Sequence, residues 1–130
     1  MIKIGLENEI EIIVDKKDTA KSYGSGELEV LATPKMISLM EEASYKCVSP
    51  YLDEGISSVG TLVNVKHLSA TPVGMKVRVK SQVIEIEDRK ITFKVEAYDE
   101  KGIIGEGEHE RYLVKSEKFL SKTYAKKENI

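Results

Sequence analysis

Three side chains able to attack a carbonyl or move a proton stand inside apolar stretches of this sequence: Thr33, Glu41 and His67. Glu41 lies in the run TPKMISLMEEASYKCV, where Met36, Met40, Ala43 and Cys47 recur at four- and three-residue steps and draw one apolar stripe. At about 100° per helical residue, Glu42 points away from that stripe into water, whereas Glu41 falls at its border beside Ile37 and Val48. A partly desolvated carboxylate suits a nucleophile or a base. A glutamate that merely edges a helix and pairs with a lysine gives the same pattern. His67 ends a strand in which Val59, Thr61, Val63, Val65 and His67 share an apolar face, opposite Gly60, Leu62, Asn64, Lys66 and Leu68. Alone it reads as a satisfied core histidine. Facing a border glutamate, it becomes half of a pair that can activate water.

Weaker candidates lie further on. His109 and Arg111 share a strand face preceded by Gly105 and Gly107, whose lack of a side chain admits a close neighbour. A structural hydrogen-bond pair is the simpler role for His109. Arg111 divides evenly between that role and a place in the site. Gly60 opens its strand and offers either a bulge or a free amide for a developing oxyanion. Cys47 sits in the apolar stripe with no base beside it and reads as a small core residue. No metal-ligand spacing, glycine-rich phosphate loop or G-x-S-x-G elbow occurs, which argues against a metalloenzyme, a nucleotide hydrolase and an α/β-hydrolase.

The elements that must position these residues follow from pattern. Thr33 suits a helix N-cap and Pro34 the first helical position, and Pro50 ends the helix before Tyr51. A short strand is expected at 10–14, and residues 15–31 are mixed, with Gly24 and Gly26 marking a turn. Strands are expected at 59–69, 76–87, 90–99 and 103–115, with turns at 71–74, 88–89 and 100–102. The polar tail after Phe119 is expected to fray. This is an α+β pattern, an antiparallel sheet wrapped around one long helix, in a single domain over residues 1–130. Its free sheet edge invites a second copy. Lys and Arg number 20 against 22 Asp and Glu, a net charge of -2, which gives no general pull toward nucleic acid or an anionic membrane. The single cysteine excludes an intrachain disulfide, no signal peptide opens the chain, and no apolar run approaches the ~20 residues of a bilayer span. A cytoplasmic location is the expectation.

Several motifs keep their order and spacing from about residue 31 to 119: L-A-T-P-K-M-I-S-L-M-E-E-A, P-Y-L-D-E-G, S-V-G-T-L-V-N-V-K-H-L-S-A-T-P-V-G-M, G-E-G-E-H-E-R and E-K-F. This arrangement resembles the fluoroacetyl-CoA thioesterases and their wider relatives among the hot-dog thioesterases. The resemblance implies the hot-dog fold, hydrolysis of an acyl-CoA thioester, and a Thr33, Glu41 and His67 constellation. It also implies an oxyanion-stabilising amide at Gly60 and a basic residue near the site at Arg111. A homodimer or a higher homo-oligomer, with sites at the subunit interface, is part of the same implication. So is the lack of a metal or organic cofactor, coenzyme A being part of the substrate. In the fluoroacetyl-specific enzymes a longer segment before the threonine carries lid phenylalanines. Here residues 15–31 are several residues shorter, contain no Phe, and have Tyr23 as their one aromatic. That departure implies a short- or medium-chain acyl group other than fluoroacetyl. Two other readings are an enoyl-thioester hydratase or dehydratase on the same fold, and a non-catalytic acyl-CoA-binding module. Thr33 and Glu41 are eight positions apart, ~12 Å along a regular helix. They meet only if Thr33 folds back before the helix or if the two come from different subunits.

Overall fold

The computed structural model describes residues 1–129. Five strands form one antiparallel sheet: β1 (Glu7–Ile13), β2 (Ile56–His67), β3 (Lys76–Glu87), β4 (Lys90–Asp99) and β5 (Gly102–Lys115), in the spatial order β1-β3-β4-β5-β2. A short helix, α1 (Ala20–Tyr23), and a long one, α2 (Thr33–Val48), lie between β1 and β2. A third, α3 (Ser116–Tyr124), follows β5. No described helix is long and apolar enough to cross a membrane.

The core is where the stripe of α2 meets one face of the sheet. Met36, Leu39, Met40, Ala43, Cys47 and Val48 are buried there against Val77, Val79, Val83, Phe93, Val95 and Ala97. Alternation explains the sheet half of this contact, since Val77, Val79, Ser81 and Val83 face inward while Lys76, Arg78 and Lys80 face out. Gly105 sets how closely the helix approaches: a Cβ there would stand 2.5 Å from Met36 Sδ. A fully buried polar contact crosses the apolar layer. Ser44 Oγ lies 2.8 Å from Ser81 Oγ and 2.8 Å from the Met40 carbonyl, with both serines fully buried.

Several expectations need correction. Ala32, not Thr33, is the N-cap of α2, and Thr33 and Pro34 are its first two residues. The Thr33 hydroxyl does not cap because it is engaged elsewhere. The first strand begins earlier, at Glu7, because its alternating glutamates tolerate the exposed side of an edge strand. The tail expected to fray is instead helical, as α3 followed by a 3₁₀ turn over Ala125–Asn129. Its residues are polar but contain no glycine or proline to interrupt a helix.

The largest departure is in β2. Gly60 pairs with Arg111 and Leu62 with Glu110, so Thr61 is an extra residue in a bulge. Directly paired residues share a face. Gly60, Val63, Val65 and His67 therefore lie on the helix side with Arg111, His109, Gly107 and Gly105. Val59, expected on that face, pairs with Tyr112 on the other one, and Gly60, expected to point away, is brought inside. The bulge reverses the side-chain phase that unbroken alternation predicts.

The buried serine pair is testable. Ser44→Ala should cost about 1–3 kcal/mol by stranding the buried Ser81 hydroxyl, Ser81→Ala should cost less because Ser44 keeps its bond to the Met40 carbonyl, and the double variant should cost clearly less than the sum. Urea unfolding of the four proteins checks this, and additive losses would refute coupling.

Candidate active site

The candidate residues form two clusters at opposite ends of β2. At its C-terminal end, Thr33 Oγ1 lies 2.7 Å from His67 Nδ1. α2 supplies the threonine from its first turn and β2 the histidine from its last residue. They border a cavity of about 340 Å³ lined also by Ala20, Leu31, Pro34 and Leu68. His67 is half-buried, and its Nε2 is buried without a hydrogen-bond partner. Burial holds its pKa below the ordinary histidine value, with the Ser69 backbone opposing. The imidazole is therefore neutral near pH 7, with one ring nitrogen committed to Thr33 and the other open to chemistry.

At the other end, Gly60 lies under Glu41. A Cβ on Gly60 would stand 3.0 Å from Glu41 Oε2, 3.1 Å from His109 Cε1 and 3.3 Å from Arg111 Nη1. Arg111 is 7% exposed. Its Nε donates to Ser58 Oγ at 2.8 Å, its Nη2 to the Ser58 carbonyl at 3.0 Å, and its Nη1 to His109 Nε2 at 3.1 Å. Nη1 is also 4.0 Å from Glu41 Oε2. A guanidinium only donates, so His109 Nε2 must be the unprotonated nitrogen, and its Nδ1–H donates to the Leu62 carbonyl at 2.8 Å. Burial, chiefly, keeps His109 below the ordinary histidine range, and Arg111 adds to the effect. Burial likewise lowers Arg111, against the opposing charge of Glu41.

Glu41 and Glu42 differ less in exposure than the helical stripe suggests. Their side chains are 44% and 40% exposed in the single chain. They differ in partner. Glu42 pairs with Lys46 at 2.6 Å on the surface, while Glu41 faces the buried guanidinium. His109 and Arg111 do form the structural pair read from their spacing, and Arg111 adds the contact to Glu41. Ser58 escaped the sequence reading. Only its position two residues before Gly60 on a strand beside Arg111 would have pointed to it.

Within one chain the structure joins Thr33 to His67 and Glu41 to Gly60, but not the two pairs to each other. Gly60 and His67 are seven positions apart on an extended strand, roughly 20 Å.

Residues 14–117 match the family described as fluoroacetyl-CoA-specific thioesterase. The fluoroacetyl-CoA thioesterase of Streptantibioticus cattleyicolor is 41% identical over 98 residues, covering 75% of this chain and 70% of that protein. The crystal structure of the fluoroacetyl-CoA thioesterase FlK superposes with a TM-score of 0.91 at 33% identity, over 97% of this chain and 98% of that one. A hot-dog-like protein from Thermanaerovibrio acidaminovorans shares the fold alone, with a TM-score of 0.89 at 21% identity, over 96% of this chain and 93% of the other. The helix wrapped by its five-stranded sheet is thus the hot-dog fold. With the match running from the end of β1 into α3, the chain belongs to the fluoroacetyl-CoA-specific thioesterase family, a family of thioester hydrolases.

Proposed function

We propose that this protein is an acyl-CoA thioesterase that cleaves a short- or medium-chain acyl-CoA to the free acid and coenzyme A, at a site shared between two subunits of a homodimer. The observation that carries the proposal is the position of the two clusters on β2. This strand is one edge of the sheet, and it exposes Leu62 and Val63 near its middle. An edge of that kind is completed by a second copy. Two identical strands paired antiparallel about a two-fold axis place each residue opposite a fixed counterpart. With Thr61 as the extra residue of the bulge, an axis at Asn64 sets Val63 opposite Val65, Leu62 opposite Lys66 and Gly60 opposite His67 of the other subunit. That register brings Thr33 and His67 of one subunit against Glu41 and Gly60 of the other, twice over. The eight-residue separation of Thr33 and Glu41 within one helix then presents no obstacle.

The chemistry follows from this arrangement. The thioester carbonyl oxygen accepts from the Gly60 amide, where the missing side chain leaves room beside Glu41. Glu41 takes the proton of a water as its oxygen attacks the carbonyl carbon, and the carbon–sulfur bond breaks. Thr33 donates to His67 Nδ1, which leaves the proton on Nε2, the nitrogen without a partner in the single chain. Glu41 passes the proton it took from water to the departing sulfur, and His67 stabilises the developing thiolate by hydrogen-bonding it through Nε2–H. Arg111 holds the carboxylate over Gly60 by charge. The short segment before Thr33 closes the acyl side with Ala20 and Leu31 rather than with phenylalanines, which favours an acyl group other than fluoroacetyl.

A thiol-release assay over a panel of acyl-CoAs tests this reading. Glu41→Ala and His67→Ala should each lower kcat/KM by about 10²–10⁴-fold. Unchanged rates in both variants would defeat the assignment. Mixing Thr33→Ala with Glu41→Ala protein should recover about a quarter of wild-type activity, because half the dimers are mixed and each holds one intact site. No recovery after verified subunit exchange would exclude a shared site. His67 must begin neutral with respect to its Thr33-facing nitrogen, and its pKa is lowered. Activity should therefore be level through neutrality and fall only as pH drops below the ordinary histidine value of about 6.5. Loss of activity already above pH 7 would contradict the buried, neutral imidazole.

A further inference from the structure

Arg111 holds Glu41 by charge, and a long, flexible side chain does that only when its head is fixed. The guanidinium is planar and its N–H donors lie in one fork. Ser58 Oγ takes the Nε–H at 2.8 Å, the Ser58 carbonyl takes an Nη2–H at 3.0 Å, and His109 Nε2 takes an Nη1–H at 3.1 Å. With every nitrogen of the plane bonded, the guanidinium has little freedom to slide or turn. Nη1 stops 4.0 Å from Glu41 Oε2 and would stand 3.3 Å from a Cβ on Gly60. That separation exceeds the about 2.7–2.9 Å of a charge-assisted hydrogen bond. The cation is near enough to orient the carboxylate and too far to occupy its lone pairs.

His109 is itself fixed. It is 1% exposed, its ring stacks on Phe93 with centroids 6.2 Å apart, and its Nδ1–H donates to the Leu62 carbonyl at 2.8 Å. Its Cε1 edge walls the same space over Gly60, 3.1 Å from the position a Cβ would take. We infer that Ser58 and His109 are positioning residues for thioester hydrolysis: they hold the Arg111 guanidinium back, so that it steers Glu41 over Gly60 without closing on it. This inference rests on the acyl-CoA reading above and deepens it. Loss of either acceptor frees the guanidinium to bond Glu41 directly. The lone pair that must take the proton of water is then engaged, and the chemical step slows while substrate binding is spared.

The test measures kcat and KM for an acyl-CoA in full-length His109→Leu and Ser58→Ala proteins. Each should lose about 10–100-fold in kcat, with KM within about twofold of wild type. His109→Gln should regain most of the His109→Leu loss, because its amide oxygen accepts from Nη1 and its amide N–H donates to the Leu62 carbonyl. In an Arg111→Gln background, His109→Leu and Ser58→Ala should each cost less than about threefold more, since the group they hold is gone. An unchanged kcat, a loss confined to KM, His109→Gln as slow as His109→Leu, or losses that multiply with that of Arg111→Gln would each overturn the inference. Nitrogen-15 NMR of the wild-type histidines decides the matter where a variant fails to fold, because it needs neither a variant nor turnover. His109 should carry its proton on Nδ1 with Nε2 bare, and a proton on Nε2 would refute the contact to Arg111. Failure of the acyl-CoA reading gives a different result: wild-type protein then releases no thiol from any acyl-CoA, whatever the tautomer.

Discussion

A single buried guanidinium organises the half of the site that carries the carboxylate. Once Arg111 is taken out of water, its donors must find acceptors, because an uncompensated buried charge costs several kcal/mol. Ser58 provides two, through its hydroxyl and its carbonyl, and His109 provides a third. The third has a consequence along the chain. A histidine that accepts at Nε2 must donate at Nδ1, and the acceptor for that proton is the carbonyl of Leu62, the residue that follows the bulge. One charge thereby pins the irregular point of β2 from the neighbouring strand. The bulge brings Gly60 onto the helix side, where Glu41 completes the cluster by facing the guanidinium that started it.

The opposite cluster is built on a different principle. Thr33 and His67 carry no net charge, and their bond joins the start of a helix to the end of a strand. Pro34 allows this. It fixes the backbone at the second helical position, so the first turn holds its geometry while the threonine side chain is released from capping. One cluster thus supplies a carboxylate held by a cation, the other a neutral imidazole oriented by a hydroxyl. Two titratable groups in contrasting surroundings are what acid–base catalysis requires.

Much of the scaffold was legible in the sequence. β3 and β4 have the expected bounds, because valines alternate with charged residues and their shared turn falls at Asp88, which adopts a positive φ. The body of α2 follows its methionine stripe. What escaped has a common physical origin. A bulge is fixed by hydrogen bonds to another strand and leaves no trace in local periodicity, so the faces of Val59 and Gly60 were exchanged. Ser58 gained its role from Arg111, 53 positions away. Thr33 has the chemistry of a cap and surrendered it to a histidine 34 positions away. α3 was hidden because polarity in a tail reads as disorder when its composition would equally support a helix. The candidate site residues were visible as polar exceptions in apolar runs, but their grouping into two pairs was not, since that depends on the length of a strand.

That length works as a ruler. Between Gly60 and His67 the side chains can vary widely, because the outward positions Leu62, Asn64 and Lys66 touch solvent and Val63 and Val65 need only be small and branched. The number of residues cannot. Removing one would turn the histidine away from the helix and from Thr33, while leaving every other element in place. In descendants of this gene, drift in composition along β2 should be common and changes in its residue count rare.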